Sequence, residues 1–133
     1  MDKIKEFFKG DRFAASCGIE LLEVSQGSAT ARMKIEQNHL NGVGTVQGGA
    51  IFTLADLAFA AASNSYGTVA VAINANISFL KAVSEGILTA RAEEVSLNPK
   101  IATYTIKVTD EKAETVAIFQ GMVYRKKVKL EQL

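Results

Sequence analysis

The sequence predicts an α+β domain in which one long helix is wrapped by a curved antiparallel sheet. Three observations carry that prediction. Residues 50–62 form an alanine-rich run whose apolar side chains fall on every face of a helix, so protein must enclose it on most sides. Four later segments, 69–80, 87–97, 100–109 and 115–126, read as strands, most clearly where Ala102, Tyr104, Ile106 and Val108 alternate with Thr103, Thr105 and Lys107. The turns between them, at 84–86, 98–99 and 110–112, are short enough to make neighbouring strands antiparallel. A single enclosed helix against several long strands requires a sheet that curves around it.

The remaining elements follow in order. Ile4, Phe7, Phe8 and Phe13 stand at helical spacings with charges between them and a break at Gly10-Asp11, which reads as two short amphipathic helical turns. Ile19 and Leu21 begin a strand that ends in a tight turn at 24–28. Ala29, Ala31, Met33 and Ile35 then alternate with Thr30, Arg32, Lys34 and Glu36, giving a hairpin with one buried face. Residues 38–49 are rich in glycine and polar side chains and read as a loop; residues 64–67 end the helix. No repeat, linker or low-complexity block divides the chain, so residues 1–133 are read as one domain.

Composition narrows the functional classes. At 133 residues the chain is long enough to bury a real core, and 48% hydrophobic with 22% charged residues argues against disorder. Fifteen basic against fourteen acidic residues lack the broad positive footprint that nucleic-acid binding uses. The lone Cys17 cannot form an internal disulfide, and neither a signal-like start nor a run of roughly 20 apolar residues is present; the expectation is a cytoplasmic protein that does not enter a membrane. One histidine, His39, and one cysteine, far apart in sequence, give no metal-ligand cluster, and Gly42, Gly44 and Gly48 fit neither the dinucleotide fingerprint nor a P-loop. No cofactor or metal is expected.

The informative stretch runs from His39 to Asp56. A carboxylate in the middle of an apolar helix carries a desolvation cost that cores avoid unless the group is paired or used. Glycines leading into a helix let unsatisfied N–H groups approach a ligand closely, at the end where the helix dipole favours negative charge. Each feature alone has an ordinary structural explanation, an internal hydrogen bond for Asp56 and a turn for the glycines. Spaced as they are, they point to a site. Gly48 and Asp56 stand eight positions apart, about 12 Å along a helix, whereas one reacting carbon must lie about 3 Å from both base and oxyanion donor. Two antiparallel copies related by a twofold axis bring each Asp56 beside the other's glycine turn, so a dimer at minimum is expected.

These residues resemble the hotdog-fold thioesterases of the phenylacetic acid degradation (PaaI) type. That family's pattern is Asn, a glycine-containing loop, His-Gly-Gly, then an apolar helix with Asp nine positions after the His. Asn41, Gly48, Gly49 and Asp56 fall on it, and both the helix start 50–56 and the strand segment 76–80 are similar to the family's. The resemblance implies a hotdog fold and hydrolysis of an aryl- or short/medium-chain acyl-CoA. It implies Asp56 as general base or nucleophile, the Gly48 N–H as oxyanion donor, Asn41 as an orienting group, and Gln47 and Gly49 as substrate contacts. It also implies an acyl-CoA partner and association into dimers and then tetramers. Gln47 stands where the family has His, and Ala72 near the place where some members carry a hydroxyl. A non-catalytic acyl-CoA-binding hotdog protein is therefore the alternative; a hydratase needs a catalytic His that only His39 could supply.

Overall fold

The computed structural model describes residues 1–133. Two short helices open the chain, α1 (Asp2–Phe8) and α2 (Arg12–Ser16). The Asp11 side chain starts the second by accepting the Ala14 N–H at 3.0 Å, satisfying one of the donors a helix start leaves open. Strands β1 (Ile19–Ser25) and β2 (Ser28–Lys34) form the expected hairpin, turned at Gly27 with φ 77°. After a 3-10 turn at Gln37–His39 comes the central helix α3 (Gly48–Ser63), then β3 (Thr68–Phe79), β4 (Ile87–Leu97), β5 (Ile101–Thr109) and β6 (Thr115–Lys129). No helix is long and apolar enough to cross a membrane.

All six strands pair antiparallel in the order β1-β2-β4-β5-β6-β3. The α3 helix packs chiefly on β2, β4 and β5. Ala31, Ala90, Ala92 and Ala102 are fully buried beneath it, and their small side chains let helix and sheet approach closely. At the far end of α3, Phe59 enters the sheet between Tyr104 and Phe119, with ring centroids 5.9 and 5.5 Å away. Gly121 makes room for it, since a Cβ there would meet the Phe59 ring at 2.5 Å.

The two sheet edges differ. The β1 edge is short, bulged between Leu21 and Glu23, and carries Glu20 and Glu23, devices that discourage pairing with another chain. The β3 edge is twelve residues, TVAVAINANISF, with no charge and no proline. Ile73 and Phe79 on it are each 53% exposed.

Three sequence expectations need adjustment. The helix begins two residues earlier than read, at Gly48, so both glycines form its first turn and not a preceding loop; a side-chain cap from Gln47 makes that start possible. The last strand continues to Lys129, carrying the basic run as exposed strand. Finally, the chain leaves one stripe of the helix partly open, formed by Gly49, Phe52, Thr53, Asp56 and Ala60 at helical spacing.

Candidate active site

The loop before α3 is held by its own side chains. Asn41 Oδ1 accepts the Val43 and Thr45 N–H groups, both at 3.1 Å, while its Nδ2 donates to Thr45 Oγ1 at 3.1 Å. The Asn41 N–H donates to the Thr45 carbonyl at 2.8 Å, and Gly44 takes φ 84° to close the turn. Asn41 thus shapes the loop, with one amide hydrogen left for a ligand. The loop is fixed to the body by the Val46 N–H on the Val83 carbonyl and the Gln47 N–H on the His39 carbonyl, both 2.8 Å.

Gln47 is the cap of α3. Its Oε1 accepts the Gly49 N–H at 2.5 Å, and its carbonyl accepts the Ala50 and Ile51 N–H groups at 2.9 and 3.4 Å. That leaves the Gly48 N–H as the amide of this turn with no acceptor in the chain. It lies at the positive end of a sixteen-residue helix, the place best suited to developing negative charge. The Phe79 ring rests against the same residue, since a Cβ on Gly48 would lie 3.0 Å from Phe79 Cζ. An open cleft of about 630 Å³ adjoins the turn, with Phe13, Cys17, Leu40, Gln47, Gly49 and Thr53 among its walls.

Two turns along the helix, Asp56 stands partly buried with no hydrogen bond and no cation within 4 Å. Burial raises its carboxyl above the usual carboxylate range, and the negative charge of nearby Asp11 raises it further. A base so placed is desolvated and uncompensated, both of which make a carboxylate more reactive toward a proton. The structure thus brings Asn41, Gln47, Gly48 and Gly49 together at one end of α3. It does not bring Asp56 to them within one chain, because the helix itself holds them about 12 Å apart.

Other candidates are occupied. His39 is buried, its Nδ1 accepting the Glu36 N–H at 2.9 Å and its Nε2 2.7 Å from the Cys17 carbonyl. An Nδ1 that accepts leaves Nε2 to donate, so the ring joins the loop to the end of α2 and has no nitrogen free for chemistry. Lys81 donates to both Asp110 and Glu114 at 2.5 Å, and Arg125 donates to the Asn98 carbonyl at 2.8 Å while lying over the Tyr66 ring. Ala72 is exposed on the β3 edge strand, paired with Val123 of β6, and offers no hydroxyl. Three neighbours escaped the sequence reading: Thr53, whose hydroxyl lies one turn before Asp56 and donates to the Gly49 carbonyl at 2.7 Å, together with Asp11 and Phe79. The spacing of Thr53 from Asp56 was legible in the sequence; the other two contacts are tertiary.

Known proteins share this sequence pattern and fold. Residues 43–117 match the family model described as the thioesterase superfamily. A putative esterase of Archaeoglobus fulgidus is 40% identical over 127 residues, 94% of this chain and 82% of that protein. The acyl-coenzyme A thioesterase PaaI of Escherichia coli is 35% identical over 89% of this chain and 85% of its own length. The solved structure of the E. coli PaaI protein from the phenylacetic acid degradation operon superimposes with a TM-score of 0.89, covering 93% of this chain and 91% of that one at 33% identity.

Proposed function

This chain belongs to the thioesterase superfamily as a hotdog-fold thioester hydrolase of the PaaI type, and from that premise we propose that its substrate is an acyl-CoA, cleaved at a site shared by two copies. The observation that carries the reading is the pair of unsatisfied groups on one helix: the Gly48 N–H without an acceptor and the Asp56 carboxylate without a cation.

Two α3 helices running antiparallel across a twofold axis set Asp56 of one copy beside Gly48 of the other. The thioester carbonyl accepts from the Gly48 N–H, which stabilises the oxyanion as the carbonyl carbon becomes tetrahedral. As a base, Asp56 takes a proton from the attacking water, and collapse expels the thiolate, which takes that proton from Asp56 to leave as coenzyme A thiol while the acid is released. As a nucleophile, Asp56 attacks the carbonyl and expels the thiolate; a water then hydrolyses the resulting acyl-aspartyl anhydride, giving the acid, restoring the carboxylate and supplying the thiol's proton. The uncharged β3 edge and the partly open stripe of α3 supply the surface on which the second copy seats. Pairing of such dimers into a tetramer completes the assembly. Gln47, holding the cap, keeps the Gly48 amide aimed outward; Asn41 keeps the preceding loop in shape.

The test is thiol release across aryl, short-chain and medium-chain acyl-CoAs. Asp56→Ala is expected to lower kcat by about 10²–10⁴-fold, the usual worth of a positioned general base. Equal turnover by the two proteins removes Asp56 from the mechanism. The amide of Gln47, which cannot carry a proton between groups, favours one second reading, an acyl-CoA-binding protein without turnover. Tight binding across the panel with no thiol released selects it.

A further inference from the structure

Phe79 is a large aromatic side chain that the protein leaves 53% exposed, yet its ring is in contact with Gly48, the residue of this turn whose amide is free to hold a carbonyl. The contact is close: an added methyl on Gly48 would meet Phe79 Cζ at 3.0 Å, tighter than ordinary van der Waals separation. A carbonyl accepting from the Gly48 N–H has a flat aromatic ring close beside it. Which of its two substituents lies against the ring follows from what lies along each direction. On the face of β3 that carries Phe79, Ile77 and Ala75 follow, with no polar side chain to satisfy an amide. The cleft that adjoins the turn, whose walls do not include Phe79, carries Asn38, Gln47 and Thr53. A pantetheine arm carries amides that need partners when desolvated; an acyl group does not. The acyl side fits against Phe79 and the pantetheine side against the cleft.

We propose that Phe79 determines substrate selectivity, its ring against Gly48 admitting acyl groups with an unbranched carbon next to the thioester carbonyl and rejecting those branched there. The inference rests on the Gly48 amide holding that carbonyl, as in the reading above, and adds the acyl class that the site accepts. Phe79 is a wall of the pocket; no proton or bond change passes through it.

The experiment compares butyryl-CoA with isobutyryl-CoA, isomers that differ only in branching at that carbon. For the unaltered protein the ratio of kcat/KM is expected to favour the linear acyl group by about tenfold or more, the discrimination one misplaced methyl group commonly gives. In Phe79→Ala the ratio is expected to fall to within about threefold of unity, chiefly by a gain on the branched substrate, and Phe79→Leu is expected to lie between. Because the ring is half exposed, its truncation leaves the core intact, and the thermal midpoint with the oligomer mass of each variant checks that. A ratio unchanged in both variants, or a uniform loss on both substrates, overturns the proposal. Should the unaltered protein release no thiol, hydrolysis is what has failed. The wall is then read by affinity, using S-(2-oxopentyl)-CoA and S-(3-methyl-2-oxobutyl)-CoA, ketones that keep the carbonyl and cannot be hydrolysed. Equal affinities for the two in the unaltered protein overturn the wall as well; a linear preference lost in Phe79→Ala upholds it.

Discussion

The two ends of α3 are built on opposite rules. At the C-terminal end each polar group has a partner. Asn64 Oδ1 accepts the Ala70 N–H at 2.9 Å while its Nδ2 donates to the Ala60 and Ala70 carbonyls; Ser65 accepts the Gly27 N–H at 2.8 Å; and Tyr66 and Tyr104 both donate to the Glu94 carboxylate. Phe59 fills the space beside them. At the N-terminal end the helix keeps a free amide at Gly48 beside an aromatic ring half in solvent, and midway along it a carboxylate without a cation at Asp56. One helix thus divides its length between holding the fold and presenting chemistry, and the saturated end lets the unsaturated one exist.

The largest effect on that division is expected from closing the space at the saturated end. Gly121→Ala presses a methyl group into the buried Phe59 ring, which Tyr104 and Phe119 hold on both sides. We expect a loss of about 1–3 kcal/mol in urea unfolding, with kcat retained below the transition. An unchanged midpoint would show that the aromatic cluster is loose, and the contrast between the ends with it.

A smaller effect of opposite sign is expected midway along the helix, at Asp56. Burial raises the Asp56 carboxyl, so the folded chain binds its proton more tightly than the unfolded chain does. Its contribution to stability is complete below the unfolded carboxylate range and is lost as pH rises through the folded value. At neutral pH the charge therefore costs stability. Asp56→Asn is expected to raise Tm at pH 7 while losing activity, with the gain vanishing in acid. A lower Tm at pH 7 would mean that the carboxylate is held by favourable contacts and not kept for use.

The finest adjustment is electrostatic. Asp11→Asn preserves the α2 cap, for which Asn serves as well as Asp, but removes the charge that helps to raise Asp56. The acid limb of kcat/KM is expected to move to lower pH, since a less raised carboxyl ionises earlier. A limb that stays in place assigns the shift of Asp56 to burial alone.

Much of this was legible in the amino-acid order. An alanine-rich apolar run with one Asp, followed by alternating strands on short turns, is enough to place a partly desolvated carboxylate on an enclosed helix. The start of that helix was not, because glycines read as breakers until a cap is seen, and whether Gln47 folds back onto Gly49 is a matter of rotamer. Asn41 looked like a ligand group because nothing in its spacing reveals that Val43 and Thr45 claim its oxygen. Phe79 and Asp11 reach the site across 31 and 45 positions of chain, from 79 − 48 and 56 − 11, distances at which local pattern carries no signal.

Under the proposed two-copy site, the long uncharged margin of β3 would give catalysis a concentration scale. If each reaction centre draws one group from either copy, the number of centres follows mass action, and dilution below the dissociation constant of the pair removes activity without unfolding a single chain. Specific activity should then fall with dilution and recover when an inactive Asp56→Ala chain is added in excess, because every mixed pair retains one intact centre.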